Sequence, residues 1–387
     1  MPEPMELYLH IPFCLRKCIY CDFLSFPAAE QTQDKYTEAL CREIIKTGEL
    51  TRGYKLRSVF LGGGTPSILS IYNIERIMDS VRDSFSLDSQ AEISMEANPG
   101  TLSFEKLQAY RKAGINRLSI GLQAADDSCL KMLGRIHTWP EFKDNYLQAR
   151  KAGFDNINVD IMSALPGQSL ESYHHTLEEE TALEPEHISS YSLILEEGTP
   201  LYEDQSLLDL LPDEETDRIM YEMTGRALEE SGYHRYEISN YAKEGRECIH
   251  NLGYWEDIPY LGLGLGASSY WKEKNSQGGE DSFLRFSNQR DLNRYLENPF
   301  LPFDQREDYV ELSREDRMAE FMFLGLRKMD GIDPEAFGRK FGCGLEEIYG
   351  KSIRKFLDLG LLSVKDGRLA LTKKGINVSN QIFCEFI

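Results

Sequence analysis

The sequence predicts an α/β protein, a partial (β/α)6 barrel followed by a C-terminal, mainly helical, winged-helix-like module. Three observations carry that prediction. Before residue 196, short apolar strands alternate six times with amphipathic helical stretches. A helix-ending fragment, Arg111-Lys112-Ala113-Gly114, recurs as Arg150-Lys151-Ala152-Gly153, 39 residues later. After about residue 200 the alternation stops, and the last seventy-five residues read as helices and a small hairpin.

The strands, in order, are expected at Leu7–Ile11, Ser58–Leu61, Glu92–Glu96, Arg117–Gln123, Asn156–Met162 and His187–Leu195. Helices are expected between them at Gln33–Leu50, Ser70–Ser84, Ser103–Ala113, Pro140–Ala152 and Leu170–Leu183. Pro140 suits a first helical position, where a missing N–H costs nothing. In the repeated fragment, glycine ends the helix in a left-handed residue and basic side chains face the negative end of its dipole. An apolar residue, Ile115 or Phe154, then leads into the next strand. A weaker third copy runs Glu229-Glu230-Ser231-Gly232-Tyr233. Repeated right-handed βα units make a parallel sheet or barrel.

Further on come a charged helix over Asp213–Ser231, the glycine-rich run Tyr260–Ala267 and a polar stretch over Glu273–Asp281. Helices follow at Ser313–Met329, Pro334–Phe341 and Leu345–Leu357, then two short strands about Asp366-Gly367. The expected division is 1–235 for the barrel, 236–310 for a connecting region and 311–387 for the C-terminal module, closely docked because no long linker intervenes.

With 43 Lys and Arg against 64 Asp and Glu, the net charge of −21 argues against nucleic acid and acidic lipid as partners. Apolar residues make up 41% of the chain, enough for a large core and too many for a disordered acidic tail. The start MPEPMELYLHIPFC has neither the basic residues nor the apolar run of a secretory signal, and no transmembrane segment is expected. A cytoplasmic location is the expectation. Of eight cysteines, three crowd into Cys14, Cys18 and Cys21 and five stand singly. That distribution suits metal or redox chemistry better than a disulfide framework.

The three cysteines have C-x3-C-x2-C spacing and follow the first strand, at the C-terminal mouth where such folds place ligands. Thiolates so spaced can hold three irons of a 4Fe-4S cluster and leave the fourth open. Zinc held by the same cysteines and His10 is the alternative, although zinc loops usually supply their ligands as two separated pairs. Arg16 and Lys17 mark the loop as exposed, against three merely packed thiols.

The cysteine motif with Tyr20 before its third cysteine, the flanking YLHIPFC and the later Gly62-Gly-Gly-Thr-Pro-Ser67 resemble the radical S-adenosylmethionine (SAM) superfamily, in its oxygen-independent coproporphyrinogen III oxidase-like family. The resemblance runs through nearly the whole chain, including Arg317–Leu326 in the last module. It implies a 4Fe-4S cluster on Cys14, Cys18 and Cys21, bound SAM, and the capacity to generate a 5'-deoxyadenosyl radical from it with an electron from a donor protein.

Glycines at 62–64 let backbone polar groups approach a ligand closely, and the Gly-Lys-Ser/Thr ending of a phosphate loop is absent. Glu96, Gln123 and Asp160 interrupt or end apolar strands, and three such groups on successive strands would converge over the barrel mouth. Singly, each could be a satisfied structural hydrogen bond. Arg135 can clasp a carboxylate with its planar fork, and a surface ion pair is an equally open reading. The resemblance assigns the methionyl amino group to Gly63, Gly64 and Thr65, the ribose to Gln123 and Asp160, and the methionine end to Glu96 and Arg135. It makes Tyr8 and Tyr20 neighbours of adenine and cluster.

Within the family, two departures resemble the haem-chaperone branch, HemW, more than the oxidases. Phe23 stands where oxidases carry a further cysteine, and only thirteen residues precede Cys14, where oxidases have a long N-terminal arm. His250-Asn251-Leu-Gly-Tyr254-Trp255 matches the chaperone branch's H-N-x-x-Y-W motif. Imidazole is a natural axial ligand for haem iron, so His250 is the expected haem ligand; a core histidine beside aromatics is the other reading of the residues. The implied function is a haem chaperone that passes haem to an acceptor protein. The alternatives are a radical enzyme acting on coproporphyrinogen III and a zinc-stabilised structural protein.

Overall fold

The computed structural model describes residues 2–275 and 281–387; most of the polar stretch expected over Glu273–Asp281 lies outside the described residues. The first half runs β1 (Glu3–Ile11), α1 (Glu30–Leu50), β2 (Tyr54–Gly63), α2 (Ile71–Ser84), β3 (Leu87–Ala97), α3 (Phe104–Lys112), β4 (Arg117–Gln123), α4 (Asp127–Met132), α5 (Trp139–Lys151), β5 (Ile157–Ser163), α6 (Leu170–Thr181) and β6 (His187–Ser192). Strands β1 to β6 pair in parallel and in sequence order. This is the six-unit α/β arrangement expected from the alternation.

Side-chain alternation sorts each strand into two faces. On β1, Leu7, Leu9 and Ile11 share a core with Tyr36, Leu40 and Ile44 of α1. The interleaved Glu6, Tyr8 and His10 line the barrel's inside. All three copies of the repeated fragment form the same helix end. Gly114, Gly153 and Gly232 have φ of 89°, 93° and 86°, and the next residue's N–H reaches back to the carbonyl of Tyr110, Ala149 or Leu228. Pro140 is the second rather than the first residue of α5. Thr138 caps that helix in a capping box with Glu141, and the second N–H of a helix also lacks a partner.

Next come two single turns, α7 (Pro200–Glu203) and α8 (Gln205–Leu208), then α9 (Glu214–Glu230), β7 (His234–Arg235), β8 (Asn240–Ala242), α10 (Ile249–Trp255), β9 (Tyr260–Leu263), β10 (Ser268–Glu273), β11 (Ser282–Ser287), α11 (Leu292–Glu297) and β12 (Glu307–Glu311). The stretch expected as a connecting region extends the same sheet, whose order is β12-β11-β10-β9-β1-β2-β3-β4-β5-β6-β8-β7. Because β9 takes the free edge of β1 and antiparallel β8 takes that of β6, β1 and β6 are not joined and the barrel stays open.

The C-terminal module holds α12 (Arg314–Gly325), α13 (Pro334–Phe341), α14 (Leu345–Asp358), the hairpin β13 (Leu362–Lys365) and β14 (Arg368–Leu371), α15 (Lys373–Ile376) and α16 (Ser379–Phe383). It has its own core, built on Met322, Phe337, Ile353, Phe356 and Ile382. Met329 N–H donates to Tyr236 O at 2.9 Å, tying module to barrel. Among the described residues no helix is long and apolar enough to cross a membrane.

Candidate functional site

The cysteine loop leaves the C-terminal end of β1. Backbone bonds from Cys14 N to Phe26 O (3.1 Å) and from Ile19 N to Leu133 O (3.3 Å) pin it to its own return segment and to the turn after α4. Cys14 is buried and Cys18 and Cys21 are half-buried. Two sulfurs receive hydrogen bonds. Thr65 Oγ1 donates to Cys14 Sγ at 3.5 Å, and Arg135 Nη1 to Cys18 Sγ at 3.6 Å.

Arg135 ties the loop to the strand ends. Its Nη2 donates to Gly121 O at 2.7 Å and to Asn98 Oδ1 at 2.9 Å, while Asn98 Nδ2 donates to Thr65 Oγ1 at 2.8 Å. The chain Cys18, Arg135, Asn98, Thr65, Cys14 thus runs across the mouth, and a small cavity of about 20 Å³ beside Cys18 and Arg135 lies against it. Asn98 was not among the residues expected from sequence. It lies one residue beyond β3, two after Glu96, and a polar residue before a Pro-Gly turn gives no signal of its own. Gly121 is the other addition: a Cβ there would come within 2.8 Å of Gln123 Nε2 and 3.0 Å of Arg135 Nη2.

Glu96 sits near the end of β3 and accepts the Gly63 N–H at 3.0 Å. Burial pushes its carboxyl up to about 8, the charge of Asp160 adds to this, and the Gly63 N–H opposes it. Gly64 and Thr65 donate their N–H groups to the carbonyls of Ile11 and Phe13. With all three N–H groups of residues 63–65 engaged, what this loop can offer a cation is carbonyl oxygen, beside the Glu96 carboxyl. A Cβ on Gly64 would come within 2.6 Å of Phe13 O, so glycine is required for the loop to lie on the cysteine segment.

Gln123 ends β4 after a register shift and has φ of 74°, a left-handed conformation that strains a side chain of its size. Asp160, on β5, accepts from Ser119 Oγ at 3.0 Å and Asn158 Nδ2 at 2.8 Å; burial raises its pKa against those donors. Tyr8 points into the barrel and its hydroxyl meets His10 Nδ1 at 3.1 Å. Tyr20 packs against the small cluster of Cys129, Leu133, Met162 and Leu165. The structure therefore gathers Cys14, Cys18, Cys21, Gly63, Gly64, Thr65, Glu96 and Arg135 at one end of the barrel, with Gln123 at the same strand ends and Tyr8 and Asp160 deeper inside.

His10 has its Nε2 on Leu24 O at 2.9 Å, so both its ring nitrogens are engaged. Among the described residues no three His, Cys, Asp or Glu side chains close on a single metal ion. A zinc tetrad of His10 with the three cysteines is therefore not built. A cubane makes a different demand, one thiolate on each of three irons.

His250 lies elsewhere. α10 closes the opposite end of the barrel: Glu92 accepts the N–H groups of Ile249 (3.1 Å) and His250 (3.3 Å), and a Cβ on Gly253 would collide with the Glu6 carboxyl. His250 is 1% exposed, its Nδ1 meets Ser58 Oγ at 2.8 Å and its Nε2 meets Tyr254 OH at 2.9 Å. The ring stacks on Phe60, centroids 5.1 Å apart. In this arrangement iron could reach His250 only after Ser58 or Tyr254 gave up its bond.

The family model described as the Radical SAM superfamily matches residues 8–179, and that described as the HemN C-terminal domain matches residues 312–378. A protein named heme chaperone HemW from Lactococcus lactis is 36% identical over 388 aligned residues, covering all of this chain and 98% of its own. The Bacillus subtilis protein of the same name is 36% identical, covering 98% of both chains. Among solved structures, coproporphyrinogen III oxidase (HemN) from Escherichia coli superposes with a TM-score of 0.83 at 24% identity, covering all of this chain and 91% of that one. At that identity the likeness establishes the fold.

Proposed function

This chain belongs to the HemN/HemW branch of the radical SAM superfamily, and from that premise we propose that it is a haem carrier that holds a SAM-liganded 4Fe-4S cluster and passes haem to an acceptor protein. The observation that carries this reading is the span of the similarity. Relatives named heme chaperones match the chain end to end, through barrel and C-terminal module alike. The reading sets the exchange in the cytoplasm, where thiols stay reduced.

The residues at the barrel mouth fit such a cluster. Cys14, Cys18 and Cys21 would hold three irons, with Thr65 and Arg135 as hydrogen-bond donors to two of the sulfurs. When bound, the cluster supplies a one-electron reductant, recharged by a donor protein, and an open iron for the amino-acid end of SAM. Around it, the carbonyls of Gly63 and Gly64 and the Glu96 carboxyl would accept from the methionyl ammonium. Arg135, already fixed by Gly121 and Asn98, would hold the carboxylate. Gln123 and Asp160 would take the ribose hydroxyls, with Tyr8 and Tyr20 as aromatic neighbours of adenine and cluster.

The test is an anaerobic preparation of the full chain, assayed for iron, acid-labile sulfide, haem and 5'-deoxyadenosine. About four irons with about four sulfides are expected, with no zinc, one haem, and transfer of that haem to a haem-free acceptor. Cluster-loaded protein that binds no haem, or that decarboxylates coproporphyrinogen III, would overturn the reading.

A further inference from the structure

We propose that haem docks in the groove between α9 and the C-terminal module, with His234 as axial ligand to iron and Arg226, Lys373 and Lys374 taking the propionates. The proposal rests on the haem-carrier reading and adds the place of binding. The groove has a volume of about 810 Å³, inside the range of roughly 300–1,000 Å³ typical of small-molecule sites. Tyr221, Tyr233 and Tyr241 line it from the barrel side and Met329, Leu371 and Ile376 from the module. Such walls suit a flat, largely apolar macrocycle.

Charge points to the same occupant. On a chain of net charge −21, the groove brings together four cations, Arg226, Arg235, Lys373 and Lys374, against two carboxylates, Glu222 and Glu229. Glu222 is already paired with Arg218 at 2.5 Å. Arg235 is locked in place, its guanidinium 4.6 Å from the Tyr221 ring centre and 4.8 Å from that of Tyr241, and hydrogen-bonded to both hydroxyls. Gly225 makes room for it, since a Cβ there would lie 3.1 Å from Arg235 Nη2. A dianionic planar ligand meets fixed positive charge on the barrel side and exposed lysines on the module side.

The groove also offers an imidazole. His234 is exposed, and its Nε2 donates to Glu247 Oε1 at 2.7 Å. That is the carboxylate-oriented arrangement found behind metal-bound histidines, and it leaves Nδ1 for iron. His10, His187 and His250 have both ring nitrogens hydrogen-bonded inside the fold. A second groove of about 700 Å³, beside Tyr54 and Trp271, is lined by no imidazole, thiol or thioether among the described residues. Ligation at His234 needs no electron transfer: Nδ1 would give a lone pair to iron while the proton on Nε2 stays on the ring, hydrogen-bonded to Glu247.

Haemin titration of the full chain, followed by the Soret band and by the low-spin histidine signature in electron paramagnetic resonance, tests the site. His234→Ala is expected to abolish the histidine signature and raise Kd by roughly tenfold or more. The double charge reversal Lys373→Glu, Lys374→Glu is expected to raise Kd similarly with the signature unchanged, and haemin dimethyl ester, which lacks the carboxylates, should not feel that reversal. His250→Gln should bind as the unmodified chain does. If unmodified protein binds haemin but both groove variants, shown folded by circular dichroism, bind it equally, the site is wrong and the carrier reading stands. Loss of the signature in His250→Gln instead of His234→Ala would overturn it in the same way. If the unmodified chain binds no haemin, the carrier reading fails and the site with it.

Discussion

The guanidinium of Arg135 bridges the cysteine loop and the strand ends, with Nη1 on Cys18 Sγ at 3.6 Å and Nη2 on Gly121 O at 2.7 Å. One side chain thus places a cation beside a sulfur and over the mouth of the barrel before any ligand arrives. Positioning of this kind spares a binding step the cost of ordering the group.

Replacing Arg135 by Lys keeps the charge and loses the fork. A single ammonium has three N–H donors, so it cannot serve Cys18, Gly121 and Asn98 together and still donate to a carboxylate, whereas the guanidinium keeps its Nε–H and one Nη1–H for that purpose. SAM affinity of the cluster-loaded protein should fall by about 10- to 100-fold, the equivalent of roughly 1.5–3 kcal/mol for a hydrogen bond to a charged group. Equilibrium dialysis measures it, and an unchanged affinity would remove Arg135 from the site.

Glu96 gives the protein a pH dependence of defined sign. Its carboxyl is raised from an ordinary 4.5 to about 8, so between those values the folded state holds a proton that the unfolded state has released. Stability contributed by this group is therefore lost as pH rises through the window, at up to about 1.4 kcal/mol per unit. In Glu96→Gln the amide keeps an oxygen for the Gly63 N–H and cannot ionise. Urea unfolding of both proteins at pH 5, 6.5 and 8 should show the variant gaining on the unmodified chain with each step; a constant difference would refute the assignment.

The barrel was legible because its signals are local and periodic. Alternating apolar residues mark β1 to β6, and Gly114 and Gly153 end their helices by a backbone conformation that glycine adopts without cost. The three cysteines could be read as a set because they share one loop. What stayed hidden depends on contacts between distant residues. The glycine-rich run at 260–267 becomes β9 and its following turn because Gly262 and Gly264 lie against Ser268 and His10 with no space for a Cβ. Glycine at alternate positions erases the hydrophobic pattern that would announce a strand. In the same way, H-N-x-x-Y-W spacing shows residues suited to a haem but not which end of the barrel they occupy. That is decided by Glu92, which caps α10 from 157 residues away.

His250 should report on that end of the barrel through stability. Burial drives its pKa down to about 3, with the charges of Arg117 and Arg57 acting the same way. The ring stays neutral in the folded state, and the stability this provides is lost as pH falls below about 6.5, where the unfolded chain takes up a proton. His250→Phe removes that titration and leaves the hydroxyls of Ser58 and Tyr254 without their partner, at a cost of roughly 1–3 kcal/mol for each buried group that finds no other. The variant should be less stable at pH 7 and lose less than the unmodified protein between pH 6.5 and 4. Chemical denaturation across that range decides it, and parallel acid profiles would contradict the buried neutral ring.

Gly121 provides a test of the Arg135 bridge that removes no polar group from the site. A methyl at this position would come within 2.8 Å of Gln123 Nε2, 3.0 Å of Arg135 Nη2 and 3.1 Å of Asn98 Oδ1, so at least two of the three must shift. All three are side-chain ends, and the strand can accept the residue without unfolding. Gly121 itself does not adopt a left-handed φ, so alanine brings no backbone strain. The expected result for Gly121→Ala is a thermal midpoint within a few degrees of the unmodified chain and a SAM affinity lowered to nearly that of Arg135→Lys. Combining the two substitutions should then weaken binding by much less than the product of their separate effects, because both act through the same guanidinium. Additive losses measured by the same dialysis would mean that Gly121 matters for some reason other than the position of Arg135.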